Sequence, residues 1–118
     1  MILYSPLVLD HYKKPRNSGK PKAFNHKAEE LNTSCGDRVT VYLNSKNGEV
    51  VSINHETDGC AIAIASSSIL SEKLKGKSVR EILKLEEADL EKILGMELTP
   101  SRTKCALLPL LAIQKALS

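Results

Sequence analysis

Residues 38 to 45 alternate cleanly. Val39, Val41 and Leu43 point one way; Arg38, Thr40, Tyr42 and Asn44 point the other. That period of two is the signature of a half-buried strand. Asn47-Gly48 follows, a strong hairpin signal, and Val50 to Thr57 returns as the partner strand, with Val51 and Ile53 expected on its buried face. Residues 27 to 33 carry a weaker strand pattern. Elsewhere the spacing is helical. Residues 2 to 14 form a short amphipathic helix with Ser5 as cap and Pro6 in its first turn. Residues 15 to 24, with Pro15, Gly19 and Pro21, read as loop. Residues 60 to 75 form a helix that Gly76 ends; its first half is small and apolar, so it is expected in the interior. Ser78 to Glu81 is a capping box opening a helix to about Leu85. Leu90, Ile93 and Leu94 continue helical spacing until Gly95 stops it. The last helix spans 102 to 117, with Thr99 a candidate cap. Pro109 is tolerable only in a first turn or at a kink, which moves the expected start toward Cys105.

With 118 residues and 42% apolar content, the chain is expected to form one domain, 1–118, around one core. There is no tryptophan and one phenylalanine, so aliphatic side chains must build that core. The longest uncharged internal run, Gly59 to Ser71, is too short to span a bilayer. Met1 to Leu9 lacks a basic n-region and a cleavage site, so neither membrane nor secretion is expected, and a cytoplasmic location is. The net charge of +3 comes from scattered lysines and arginines. No basic stripe interleaved with aromatics exists, so nucleic acid is not an expected partner.

Three cysteines change the picture: Cys35, Cys60 and Cys105. An odd number cannot pair fully within one chain. In a reducing compartment such thiols serve metal binding or sulfur chemistry. Antiparallel pairing of the hairpin brings its two ends together, so Cys35 and Cys60 are expected near each other. Cys60 follows Gly59 and opens a helix; Cys105 lies near the start of the last one. A helix N-terminus presents free N–H groups and positive potential, which favours the thiolate. Asp37 stands two residues after Cys35, and in extended backbone such positions face one side. Three sulfurs and one oxygen suit a zinc ion or an iron–sulfur cluster. No C-x-x-C exists, so nothing supports a thioredoxin-type dithiol. The bland alternative is that free cysteines are small buried hydrophobes. His11, His26 and His55 are not expected as ligands: His11 is expected on the helix surface or in packing, His26 in a loop, and His55 as a structural histidine of the partner strand. Ser66, Ser67 and Ser68 have no base motif and read as small packing residues.

"YSPLVLDHYKKPRNSGKP", "SCGDRVTV", "DGCAIAIASSSILSEKLKGKS" and "SRTKCALLPL", in that order, resemble the IscU/NifU-like iron–sulfur cluster scaffold family, most of all its SufU branch. The resemblance covers nearly the whole chain. It implies a small α+β fold, a three-stranded antiparallel sheet packed against helices. It implies that Cys35, Asp37, Cys60 and Cys105 gather at one exposed end as metal and cluster ligands, with Cys35 and Cys105 the candidate sulfur acceptors. A carboxylate binds cluster iron less well than a thiolate, so Asp37 would make a bound cluster labile. The implied function is a scaffold rather than a self-sufficient enzyme. It takes sulfur from a pyridoxal-phosphate (PLP)-dependent cysteine desulfurase, builds a transient [2Fe–2S] cluster with iron, and passes it to recipient proteins.

The sequence also departs from the family. Lys104 stands where many IscU proteins have histidine, and "ELTPSRTK" replaces their chaperone-binding Leu-Pro-Pro-Val-Lys segment. Dependence on a dedicated Hsp70-type chaperone is therefore not expected. Lys104 and Arg102 are SufU-like and are accessory candidates for stabilising a thiolate or persulfide. The gap of 45 positions from Cys60 to Cys105 is as short as in IscU, without the usual SufU insertion. The SufU branch implies an alternative at the same residues: a zinc-dependent sulfurtransferase that accepts persulfide sulfur, with Zn2+ in the site.

Overall fold

The computed structural model of the chain describes residues 4–34 and 36–118. Among them the elements are α1 (Pro6–Lys13), β1 (His26–Asn32), β2 (Asp37–Lys46), β3 (Glu49–Asp58), α2 (Ala61–Lys73), α3 (Val79–Leu83), α4 (Glu87–Leu94) and α5 (Pro100–Leu117). The strands form one antiparallel sheet in the order β1-β2-β3. α2 covers β3, while α5 covers β1 and β2 and packs beside α2. Val39, Val41, Leu43 and Ile53 meet Ile62, Ile69, Leu110 and Ile113 in the core. This is the α+β arrangement expected from the sequence.

Asn47 and Gly48 turn the hairpin with positive φ of 55° and 78°, as a type I′ turn requires. One expectation fails beside it. Val50 is fully buried, whereas Val51 is 43% exposed. The ladder shifts between Asn44 and Ser45: Ser52 pairs with Asn44, but Val50 pairs with Ser45. Val51 is the extra residue of a β-bulge, and the inward–outward alternation restarts beyond it. Ile53 keeps its buried place. The opposite face of β2 is also covered. Phe24 packs edge-on against Tyr42 at 5.0 Å, and the Tyr42 hydroxyl donates to Glu56 at 2.5 Å. That hydrogen bond pushes the Tyr42 pKa up to about 12.

α1 begins as expected, with Ser5 accepting the Val8 N–H at 3.1 Å and Pro6 in the first turn. The chain then returns along the open edge of β3. His55 N–H donates to the Asn17 carbonyl, and Gly19 N–H donates to the His55 carbonyl. His55 is 2% exposed, and its Nε2–H donates to the Arg16 carbonyl at 2.8 Å. His11 is buried too, with Nδ1 on the Ser68 hydroxyl at 2.7 Å and Nε2 3.5 Å from Glu72. It is therefore a packing residue, not a surface one. Burial pushes the pKa of both histidines down.

In α2 the serines pack as expected, each with a polar partner. Ser66 donates to the Ala106 carbonyl and Ser67 to the Ala63 carbonyl, while Ser68 accepts the Arg16 N–H. Ser78 accepts the Glu81 N–H at the start of α3, which ends at Leu83 rather than Leu85. Glu86 and Asp89 form a reciprocal capping box on α4, and Gly95 ends it with φ 71°. α5 starts at Pro100 behind Thr99, earlier than expected, and Pro109 lies inside it. Proline suits a first turn, and Pro100 takes that place; the Pro109 position is absorbed within the helix. Cys105 therefore stands in the second turn of α5 and does not open it. Among the described residues no helix is long and apolar enough to cross a membrane.

Candidate metal centre

Asp37 is the first residue of β2, opposite Asn32 of β1. Cys60 is the N-cap of α2, two residues beyond the end of β3. Because β2 and β3 pair as far as Arg38 opposite Asp58, the start of one strand and the end of the other share one end of the sheet. The Asp37 carboxylate lies over the start of α2. Its Oδ1 accepts the Cys60 N–H at 3.2 Å, and its Oδ2 accepts from the Cys60 thiol at 3.4 Å. An anion there meets the positive end of the helix. α5 completes the group from the side. The ligand atoms of Asp37, Cys60 and Cys105 all lie within 4.8 Å of one another. Asp37 is 4% exposed, Cys60 is exposed and Cys105 is half-buried.

Cys35, the remaining expected member, lies outside the described residues. Gly36 has φ 77° and donates its N–H to the Asn32 carbonyl at 2.8 Å. That left-handed residue interrupts extended backbone, so the period-two argument linking Cys35 to Asp37 does not run through it.

Arg102 stacks its guanidinium over the Tyr4 ring at 4.8 Å and donates to the Tyr4 hydroxyl. Lys104 is exposed and lines an open groove with Asn32, Thr33 and Leu107. This groove borders the connection in which Cys35 lies. Among the described residues, the group of potential ligands includes none of the three histidines. His26 opens β1 opposite Leu43 rather than lying in a loop, and it bridges the Ala116 carbonyl and the Ser45 hydroxyl. An open surface pocket of about 700 Å³ lies by Gly48, Val79 and Arg80 at the hairpin end, away from Asp37 and Cys60.

The donor set fits a thiophilic metal. Around a tetrahedral zinc with bonds of about 2.3 Å to sulfur, neighbouring ligand atoms stand about 3.8 Å apart. Cys60 Sγ and Asp37 Oδ2 already stand 3.4 Å apart, and no two of the three atoms are more than 4.8 Å apart. Zinc and cluster iron both take thiolates and accept a carboxylate. Sequence reasoning overlooked one supporting residue. Ser66 donates to the Ala106 carbonyl at 2.8 Å and ties α2 to the turn of α5 that carries Cys105. Only the three-serine run inside an apolar helix hinted at such a role.

Known proteins are similar to this chain along nearly its whole length. The family model described as NifU-like N terminal domain matches residues 3–118. The iron–sulfur cluster assembly scaffold protein IscU 1 of Archaeoglobus fulgidus is 36% identical over 115 residues, covering 98% of this chain and 74% of its own. The zinc-dependent sulfurtransferase SufU of Bacillus subtilis is 29% identical over 135 residues, covering 98% and 90%. Among solved structures, FiSufU of Fervidobacterium islandicum, assigned to SUF-system iron–sulfur cluster assembly, superposes with a TM-score of 0.80 at 30% identity. The match covers 98% of this chain and 96% of that one.

Proposed function

The chain belongs to the NifU-like N-terminal domain family, whose members include iron–sulfur cluster assembly scaffolds, and on that premise we propose that it is a scaffold for a labile [2Fe–2S] cluster. The carrying observation is the convergence of Asp37, Cys60 and Cys105 at one end of the sheet, with Cys35 two positions before Asp37 in the sequence. Cys35, Cys60 and Cys105 supply thiolates and Asp37 the fourth donor. The acceptor thiolate, Cys35 or Cys105, attacks the outer sulfur of a persulfide on a PLP-dependent cysteine desulfurase. A new sulfur–sulfur bond forms on this chain, and the desulfurase cysteine leaves as thiolate. Two such sulfurs, two ferrous ions and two further electrons from an external reductant complete the cargo, which recipient proteins then take. The carbon–sulfur bond of cysteine is broken by the desulfurase, so this chain acts as acceptor and carrier.

Asp37 controls release. Three sulfurs hold the cargo, and one weaker oxygen donor lets a recipient's cysteine compete at that position. Asp37→Ala is expected to slow the loss of visible absorbance from the loaded protein. Faster loss contradicts the role given to Asp37.

A second reading is favoured by the alignment over 90% of the B. subtilis zinc-dependent sulfurtransferase and by Lys104 before the third cysteine. In it the same four residues hold Zn2+, and Cys35 takes the sulfur. Zinc would supply a thiolate held deprotonated at neutral pH. Here Cys35→Ser abolishes persulfide acceptance, and no cluster spectrum develops in the unaltered protein.

A further inference from the structure

Gly59 joins β3 to Cys60, the N-cap of α2. Five of the six glycines have positive φ, a backbone reason for lacking a side chain. Gly59 is the sixth and has no such reason. Its reason is steric. A β-carbon placed on it would lie 2.6 Å from Asp37 Oδ1, 2.7 Å from Cγ and 3.1 Å from Cβ. The Asp37 side chain thus runs along the bare α-carbon from base to tip. It has little room to retreat. Its backbone is held in the ladder opposite Asn32, it is 4% exposed, and Oδ1 holds the Cys60 N–H. Rotating the carboxylate clear of a new methyl takes it off Cys60. Shifting the 59–60 backbone instead moves Cys60 itself.

We propose that Gly59 is a positioning residue of the site: its missing side chain is what keeps the Asp37 carboxylate within reach of Cys60 and Cys105. A side chain at position 59 would spread the donor set without removing any ligand. The role rests on the reading of Asp37 as a ligand, and the test separates the two.

The test is a double-mutant cycle of Gly59→Ala and Asp37→Ala with two readouts. The first is thermal unfolding of the metal-free protein. Gly→Ala at an ordinary φ is neutral or slightly stabilising when space allows. A lowered Tm in Gly59→Ala that recovers in the Asp37→Ala background shows that the methyl collides with that carboxylate. If Gly59→Ala does not fold, the double variant is expected to restore the helical circular dichroism. An equal Tm loss in both backgrounds, or no recovery, overturns the proposal. The second readout is zinc affinity by competition with a chromogenic chelator. Gly59→Ala is expected to weaken binding by about 10- to 100-fold, the usual effect of losing a supporting residue, with the double variant no weaker than Asp37→Ala. Wild-type affinity in Gly59→Ala beside a weakened Asp37→Ala overturns the positioning role alone. Wild-type affinity in Asp37→Ala overturns the ligand reading, and the positioning role with it.

Discussion

Acid is expected to loosen the attachment of the N-terminal segment, through His11 and His55. Both are buried, and both have folded-state pKa values below the ordinary 6.5. For His55 the cause is burial, partly offset by its hydrogen bond to the Arg16 carbonyl. For His11 burial comes first and Arg16 adds to it, with Lys73 acting the same way; Glu72 and Asp10 oppose them. The sign follows directly. Below pH 6.5 the unfolded chain takes up protons that the folded chain refuses, so stability falls as pH drops toward the folded-state values. Each histidine that stays neutral contributes a slope of at most about 1.4 kcal/mol per pH unit, and the two together at most about 2.7. Against a total stability of about 5–15 kcal/mol that is a large effect. Urea unfolding of metal-free protein in EDTA at pH 7.5, 6.5 and 5.5 measures it. With a urea slope of about 1.5 kcal/mol/M, a full-slope loss over one pH unit lowers the midpoint by about 1–2 M. The pair His11→Asn and His55→Gln costs stability at pH 7.5 but should flatten the pH dependence. A double variant that keeps the wild-type slope would refute the assignment to these two side chains.

Two further predictions test other parts of the fold. Val50→Ala should cost about 1–3 kcal/mol in urea unfolding, as core truncations do, while Val51→Ala should stay within about 0.5; equal costs would remove the bulge. Ser66→Ala takes a buried donor from the Ala106 carbonyl and should cost about 1–3 kcal/mol. It should also weaken zinc binding through the turn that carries Cys105, and unchanged affinity would leave Ser66 a purely structural tie.

The hairpin was legible because its turn chemistry is local: Asn47-Gly48 prescribes the backbone that the two residues adopt. Once the hairpin is drawn, the meeting of Asp37 with Cys60 follows at its open end, where β2 starts and β3 stops. Val51 was misplaced because a bulge is set by pairing between strands, and alternation within one strand carries no trace of it. The start of α5 was misread because Pro109 looks like a breaker, although Pro100 already occupies a first turn. The burial of His11 depends on Ser68, 57 positions away. The contact of Gly59 with Asp37 joins residues from different strand ends and requires coordinates. Family motifs supplied the proposed donor set; the structure brings Cys105 to Asp37 and Cys60 from the second turn of its helix.

A scaffold role requires these donors to assemble a cluster. The protein, free of oxygen, is mixed with a cysteine desulfurase, cysteine, ferrous iron and a reductant, and visible absorbance is followed. A thiolate-to-iron charge-transfer spectrum that is lost when Cys35, Cys60 or Cys105 is changed to serine is the predicted result. A protein-bound persulfide with faster alanine release, and no such spectrum, would contradict the scaffold and leave a zinc-dependent sulfur acceptor.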